Sequence, residues 1–124
     1  MNLWLAVAAG GALGAVARYG LSTAAYAWLG RGFPWGTLIV NVLGSGLAGM
    51  LYVFLLERMN AAPEWRALVL VGFLGAFTTF SAFSIETFNL LESGEAGKAA
   101  LNMVVSVLAC VAAAWGGVVL ARSL

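Results

Sequence analysis

The chain has 124 residues, of which 63% are hydrophobic and 9% are charged, and its formal net charge is +1. An ordinary soluble domain is about a quarter charged, so lipid is the expected solvent for most of this surface, and the small net charge disfavours a nucleic-acid partner. With no histidine, no aspartate and one cysteine, the sequence argues against most zinc sites, Ser-His-Asp or Cys-His nucleophiles and an internal disulfide. We therefore expect no enzyme activity.

Four segments are apolar for long enough to cross a membrane, since a spanning helix needs about 20 residues. They run from Leu3 to Leu29, from Trp35 to Leu56, from Ala67 to Leu91 and from Ala99 to Ala121. The first segment lacks the positively charged region of a secretory signal and stays apolar too long for one, so we expect it to be retained. Short loops make neighbouring spans antiparallel. The sequence thus predicts an all-α membrane protein with one four-span domain over residues 1–124.

Lysine and arginine are divided almost evenly between the two sides of this arrangement. One side carries Arg58, Arg66 and Arg122, and the other carries Arg31 and Lys98. The bias of these residues sets orientation, and here the excess, three minus two, is one charge. Dual insertion, with an upward and a downward copy paired as an inverted dimer, is one interpretation. A weakly biased protein that inserts in a single orientation is the other.

Glycines in the first two spans predict helices that pack closely, because small faces let backbones approach. They are Gly10, Gly11, Gly14, Gly44, Gly46 and Gly49. Polar side chains at membrane depth are few, and each needs a partner, a cavity or water. Asn41 is typical either of an inter-helix hydrogen bond or of a ligand site. Arg18 and Glu86 are expected to form a structural pair or to reach the helix ends by snorkelling.

The third span contains the most unusual stretch, GAFTTFSAFS, from Gly75 to Ser84. A glycine followed by the β-branched residues Thr78 and Thr79 predicts a break in the helix between Gly75 and Thr78. A break at membrane depth frees backbone amides and carbonyls. It is tolerated only where these groups line a cavity or bind an ion.

Hydroxyl groups alternate with phenylalanines after this break. Each serine or threonine can bond back to its own helix, and Phe77, Phe80 and Phe83 have the spacing of ordinary packing residues. The alternation with Ser81 and Ser84 favours a further interpretation, because ring edges are positive and, with hydroxyl donors, can solvate a small anion. Conduction needs several weak sites rather than one strong one. The pattern therefore indicates an anion pathway without a fixed positive charge.

Three motifs resemble the Fluc/CrcB fluoride channels of bacteria. They are GGALGAVARY (Gly10 to Tyr19), GTLIVNVLGSGLAG (Gly36 to Gly49) and GFLGAFTTFSAFSIET (Gly72 to Thr87). They occur in that family's order and spacing, in a four-span chain of its usual length. The resemblance implies passive, fluoride-selective export across the bacterial inner membrane by an inverted, dual-topology homodimer with two antiparallel pores.

The resemblance also assigns roles to matching positions. Phe80 and Phe83 match pore phenylalanines whose ring edges contact fluoride, and Asn41 matches an asparagine that donates to the ion. The fluoride pathway implied in this way comprises Thr37, Asn41, Phe80, Ser81, Phe83, Ser84, Asn102 and Ser106. Asn102, Ser106 and Cys110 form one stripe of the fourth span, where family members carry a tyrosine and serines. Cys110 is a poor donor, which weakens its match.

Three further roles follow from the same resemblance. Arg18 matches an arginine at a pore vestibule, and Glu86 matches an acid in a polar track. The backbone carbonyls of Gly75 and Thr78, from both subunits, match the ligands of a structural Na⁺ at the dimer interface, and such oxygens suit a hard cation.

Two other functions compete with a channel. A proton-coupled small multidrug exporter also has four spans, but it would need a carboxylate in the first span, where this chain has Arg18 and no acid. A non-transporting assembly subunit would use the glycine faces to bind other membrane proteins. Ion flux by the purified protein alone, independent of protons, would exclude both.

Overall fold

The computed structural model describes residues 2–124, and over that part of the chain it contains helices and no strand. The helices are α1 (Leu3–Leu29), α2 (Trp35–Arg58), α3 (residues 63–77), α4 (Phe80–Glu92) and α5 (Ala96–Ser123). Together α3 and α4 make the third span. The four spans contain 27, 24, 30 and 28 residues and are long and apolar enough to cross a membrane. The all-α, four-span architecture is therefore confirmed.

The helices extend beyond the predicted spans at several ends. The third span begins at Pro63 rather than Ala67, and the fourth at Ala96 rather than Ala99. Proline at the first helical position costs no hydrogen bond and is pre-organised for a helix. The hydropathy pattern stops at polar residues, whereas a helix continues through them into the interface until a cap or turn ends it. α1, in contrast, ends at Leu29 as predicted, because the next residue, Gly30, has a φ of 80° that suits glycine and ends the helix.

Two stretches have wider, π-helical turns, namely Val53–Arg58 at the end of α2 and Ala67–Leu74 within α3. π-Helical hydrogen bonds join residues five apart and are uncommon in proteins. The second stretch leads directly into the short α-helical turn Gly75–Phe77 that precedes the break.

The third span exchanges one neighbour for another at its break. Before the break, α3 packs along α1, and after it, α4 packs against α5; α2 lies between, in contact with α1 and along α5. The break therefore lets one span cross from one side of the bundle to the other. This crossing leaves the break beside α2 rather than against lipid alone.

Close contact between helix backbones depends on glycine at these crossings. A Cβ atom added to Gly72 would lie 2.7 Å from the carbonyl oxygen of Val7, and one added to Gly117 would overlap the carbonyl oxygen of Gly46. No side chain fits in such gaps, because real Cβ atoms do not approach backbone atoms so closely. The predicted tight packing is confirmed for Gly10 and Gly14 against α3 and for Gly49 against α5, whereas Gly11 and Gly46 would meet their neighbours only at ordinary contact distances. These crossings hold α1 on α3 and α2 on α5.

Candidate functional site

The third span is broken at its middle, where two consecutive threonines leave the helical conformation. Thr78 has φ −92° and ψ 159°, and Thr79 has φ −151° and ψ 125°. Branching at Cβ favours extended backbone, and the Thr79 hydroxyl caps α4 by accepting the amide of Ala82 at 3.2 Å. The predicted break is confirmed, but it lies at these two threonines. Gly75 itself remains helical.

The side chain of Asn41 replaces the helical hydrogen bonds that the break removes. Its Oδ1 accepts from the Thr79 amide at 2.8 Å, and its Nδ2 donates to the Thr79 carbonyl at 2.9 Å. In an unbroken helix that amide would bond to the carbonyl of Gly75. Asn41 therefore makes the inter-helix hydrogen bonds of the first interpretation. Its second Nδ2 hydrogen is still available to another acceptor.

A groove of about 640 Å³ runs beside the break and is open on one side of the chain. We call it the central groove. Its lining includes Asn41, Gly75, Thr78, Thr79, Phe80, Phe83, Ser106 and Cys110. The structure thus brings together, from three spans, four of the eight residues that the sequence analysis placed on a fluoride pathway, and it leaves Thr37, Ser81, Ser84 and Asn102 outside the lining. The other lining residues are mainly small or apolar.

The two phenylalanines of α4 border this groove. The ring centroids of Phe80 and Phe83 are 5.3 Å apart and the ring planes are tilted by 37°. Phe80 is 77% exposed, whereas Phe83 is half-buried. Exposure of that size leaves the Phe80 ring uncovered in the single chain.

Several hydroxyls of the third span bond back to their own helix. Thr78, Ser84 and Thr87 each donate to the carbonyl four residues earlier, at 2.8–2.9 Å. The interpretation that these hydroxyls bond back to their own helix is confirmed, although each hydroxyl oxygen can still accept a hydrogen bond. Ser81 is exposed, and its Oγ lies 3.4 Å from the hydroxyl of Thr79.

The polar stripe of the fourth span forms a chain of hydrogen bonds to α4. Ser106 donates to Asn102 Oδ1 at 3.2 Å, and Asn102 Nδ2 donates to the hydroxyl of Thr87 at 2.9 Å. Ser106 and Cys110 both line the central groove. Asn102 is only 1% exposed and is not part of the groove lining. Asn102 therefore ties α5 to α4.

A second polar cluster is centred on Glu86, toward the loop end of α4. Its Oε2 accepts from the hydroxyl of Tyr26 at 2.6 Å, and its Oε1 accepts from the hydroxyl of Thr37. Tyr26 was not singled out from the sequence. The available signal was its depth, since it lies one turn before the end of α1, at the same membrane side as Glu86.

A second cavity, of about 500 Å³, opens at this end of the bundle; we call it the outer cavity. Its lining includes Tyr26, Arg31, Phe33, Glu86, Asn89, Ser93, Glu95 and Lys98. The guanidinium of Arg31 lies over the ring of Tyr26, 4.6 Å from its centroid. Lys98 pairs with Glu95 at 3.2 Å.

Arg18 lies at the middle of its span, where its Nε donates to the carbonyl of Ala76 at 3.0 Å. The expected pair between Arg18 and Glu86 is wrong, because Glu86 is held by Tyr26 and Thr37 instead. Arg18 precedes Tyr26 by eight residues, which is about 12 Å along a helix axis. The two charges therefore lie at different depths, and Arg18 is bound to the end of α3.

Comparison with known proteins bears on what this arrangement does. The family model described as "CrcB-like protein, Camphor Resistance (CrcB)" matches residues 5–118. The chain belongs to the CrcB family. The predicted membership is confirmed.

Relatives in the CrcB family carry a more specific name. The chain is 60% identical over 116 residues to the fluoride-specific ion channel FluC of Magnetococcus marinus, covering 94% of each protein. It is 54% identical over 125 residues to the FluC of Coxiella burnetii, over the full length of both. The FluC of Methylococcus capsulatus is 58% identical over 125 residues, and the chain spans 55% of that relative's length. These relatives are named as ion channels, not as enzymes.

Membership of the CrcB family and the four apolar spans together define the location. The chain is a multi-pass protein of the bacterial inner membrane.

Proposed function

We propose that the protein is a fluoride-selective channel that lets fluoride leave the cytoplasm passively. The observation that carries the proposal is the central groove, which is lined at membrane depth by the rings of Phe80 and Phe83 and by the polar side chains of Asn41 and Ser106, with no charged residue in its lining. Fluoride is small and strongly hydrated, so a pore must replace its water with several weak donors. The names of the CrcB relatives support this choice of ion.

The pathway that we propose follows these groups along the third span. Fluoride contacts the ring edges of Phe80 and Phe83 and the free amide hydrogen of Asn41. The hydroxyls of Ser81, Ser84, Thr37 and Ser106 supply further donors along the track, each after exchanging its present partner. Asn102 of α5 contributes by donating to the hydroxyl of Thr87 on α4, which holds α4 against α5. Arg18, which is not part of the groove lining, would act at a pore vestibule.

The working unit that we propose is an inverted homodimer with two antiparallel pores. The central groove is open on one side of a single chain, and Phe80, on its border, is 77% exposed. A second copy in the opposite orientation would cover this face and turn each groove into a pore. The charge bias of one between the two sides of the chain agrees with dual insertion.

Labelling of one loop tests this topology. In the variant Cys110→Ala with Ser93→Cys, a membrane-impermeant thiol reagent should label about half of the protein in sealed vesicles, since each dimer would place one Ser93 on each side. The remaining half should react only after permeabilisation. Complete labelling, or none, before permeabilisation would contradict dual insertion.

The break also fits a structural sodium ion at the dimer interface. The ligands that we propose are backbone carbonyl oxygens, since residues 2–124 contain no group of three or more His, Cys, Asp or Glu side chains suited to a metal. The Thr79 amide, which would donate to the Gly75 carbonyl in an unbroken helix, donates to Asn41 instead. The Thr78 carbonyl lies in the break. Carbonyl oxygens are suitable ligands for a hard cation. Such an ion would hold the two broken spans together.

Flux from liposomes tests the channel itself. Purified protein is reconstituted in liposomes loaded with fluoride, and efflux is followed with a fluoride-selective electrode after a potassium ionophore provides charge balance. We expect rapid efflux that does not depend on a proton gradient. Efflux no faster than from liposomes without protein would refute the proposal.

A further inference from the structure

Tyr26 places a phenolic hydroxyl at the point where the proposed pathway meets the outer cavity. The hydroxyl donates to Glu86 at 2.6 Å, and the ring of Tyr26 is part of the outer-cavity lining. The ring also packs against α2, since a Cβ atom on Gly36 would lie 2.8 Å from Tyr26 Cδ2. Tyr26 is thus held by packing at the ring and is polar at the tip.

The cluster around Glu86 lies at the outer cavity and comes within one helical turn of the central groove. Thr37 lies one turn before Asn41 on α2, and Asn41 lines the central groove. Glu86 follows Phe83 by three residues on α4, so both point to a similar side of that helix. A series of donors therefore leads from Asn41 through Thr37 to Tyr26, which is the last of them before the outer cavity.

The cations of the outer cavity are not equivalent. Lys98 pairs with Glu95 at 3.2 Å and donates to the carbonyl of Gly32 at 3.1 Å. Arg31 lies over the Tyr26 ring and takes part in neither of the ion pairs found in residues 2–124. Its charge is thus the less compensated one, and it lies next to the last donor of the pathway.

We propose that the hydroxyl of Tyr26 is a fluoride-binding position at the outer end of the pathway, and that Arg31 draws the ion into the outer cavity. Fluoride takes the place of Glu86 as the acceptor of the Tyr26 O–H. While the ion is at Tyr26, Thr37 keeps its bond to the carboxylate, and Thr37 exchanges that bond only when the ion lies deeper, at Thr37 itself. Because Arg31 is stacked on the ring and does not chelate the ion, the ion can leave. This inference rests on the proposed fluoride conduction.

Fluoride flux through two matched variants tests the position. Tyr26→Phe removes the hydroxyl and keeps the ring, and Tyr19→Phe makes the same change on the same helix at a residue that is 72% exposed. We expect Tyr26→Phe to slow efflux about tenfold, as for loss of one hydrogen bond to a charged group, and Tyr19→Phe to leave it unchanged. Wild-type rates for Tyr26→Phe would overturn the proposal.

A second measurement separates ion contact from a merely structural role. With the tyrosines labelled with ¹³C at Cζ, titration of the wild-type protein in detergent should shift the Tyr26 resonance with sodium fluoride and not with sodium chloride. The Tyr19 resonance should stay in place. If the Tyr26 resonance does not shift with fluoride, the binding position is refuted, even if fluoride efflux through Tyr26→Phe is slow. Absence of efflux from the wild type would instead refute the proposed function.

The role of Arg31 has its own control. Arg31→Gln removes a charge stacked on Tyr26, and Arg58→Gln removes a charge stacked on Phe54, 5.7 Å from its centroid, at the other end of a span. At low ionic strength Arg31→Gln should conduct several-fold more slowly than Arg58→Gln. The difference should shrink at 1 M salt, where the Debye length is about 3 Å. Equal rates at low ionic strength would overturn the role of Arg31.

Discussion

The two hydrogen bonds between Asn41 and Thr79 should measurably stabilise the break. Asn41→Ala removes both and leaves the amide and the carbonyl of Thr79 without their partner. Each such bond is worth about 0.5–1.5 kcal/mol net, so we expect a loss of roughly 1–3 kcal/mol in the free energy of unfolding. The lower part of that range applies if water in the central groove replaces Asn41.

Amide hydrogen exchange measures this effect locally. In detergent, the Thr79 amide of Asn41→Ala should exchange roughly 10- to 100-fold faster than in the wild type, since about 1.4 kcal/mol corresponds to a factor of ten. Asn89→Ala is the matched control, because Asn89 is exposed and its side chain makes none of the hydrogen bonds found in residues 2–124. Unchanged exchange at Thr79 in Asn41→Ala would refute the reasoning that Asn41 holds the break.

Three other variants probe the remaining parts of the account. Phe80→Ile should strongly reduce fluoride efflux with an unchanged melting temperature, because it removes an exposed ring edge but little packing; wild-type efflux would remove this ring from the pathway. Asn102→Leu should lower the free energy of unfolding by about 1–3 kcal/mol, since it leaves the buried hydroxyl of Ser106 without its acceptor. Chemical denaturation measures this free energy, and an unchanged midpoint would contradict the prediction. Gly117→Val should cost at least about 1–3 kcal/mol through overpacking against α2, whereas Gly116→Val, which has open space, should melt like the wild type.

The sequence was sufficient to predict the features that depend on local chemistry. Span number follows from the length of the apolar segments, and close packing follows from glycine. The break at Thr78 and Thr79 follows from β-branched residues, although its position shifted from Gly75 because the threonines, rather than the glycine, adopt the extended conformation.

The choice of partners could not be predicted in the same way. Tyr26 and Glu86 are 60 residues apart in sequence, and their contact depends on how α1 and α4 are rotated about their axes. A span that is apolar on all sides has no polar face that would reveal this rotation. For the same reason the sequence favoured a pair between Arg18 and Glu86, and it did not indicate that Asn102 is buried between helices.

The most direct test of the central claim compares two anions in the same proteoliposomes. Vesicles loaded with both potassium fluoride and potassium chloride are diluted into impermeant buffer, and each anion is followed with its own electrode after addition of a potassium ionophore. The account predicts rapid loss of fluoride while chloride stays inside at the level of protein-free vesicles. Retention of fluoride, or equal loss of both anions, would contradict it.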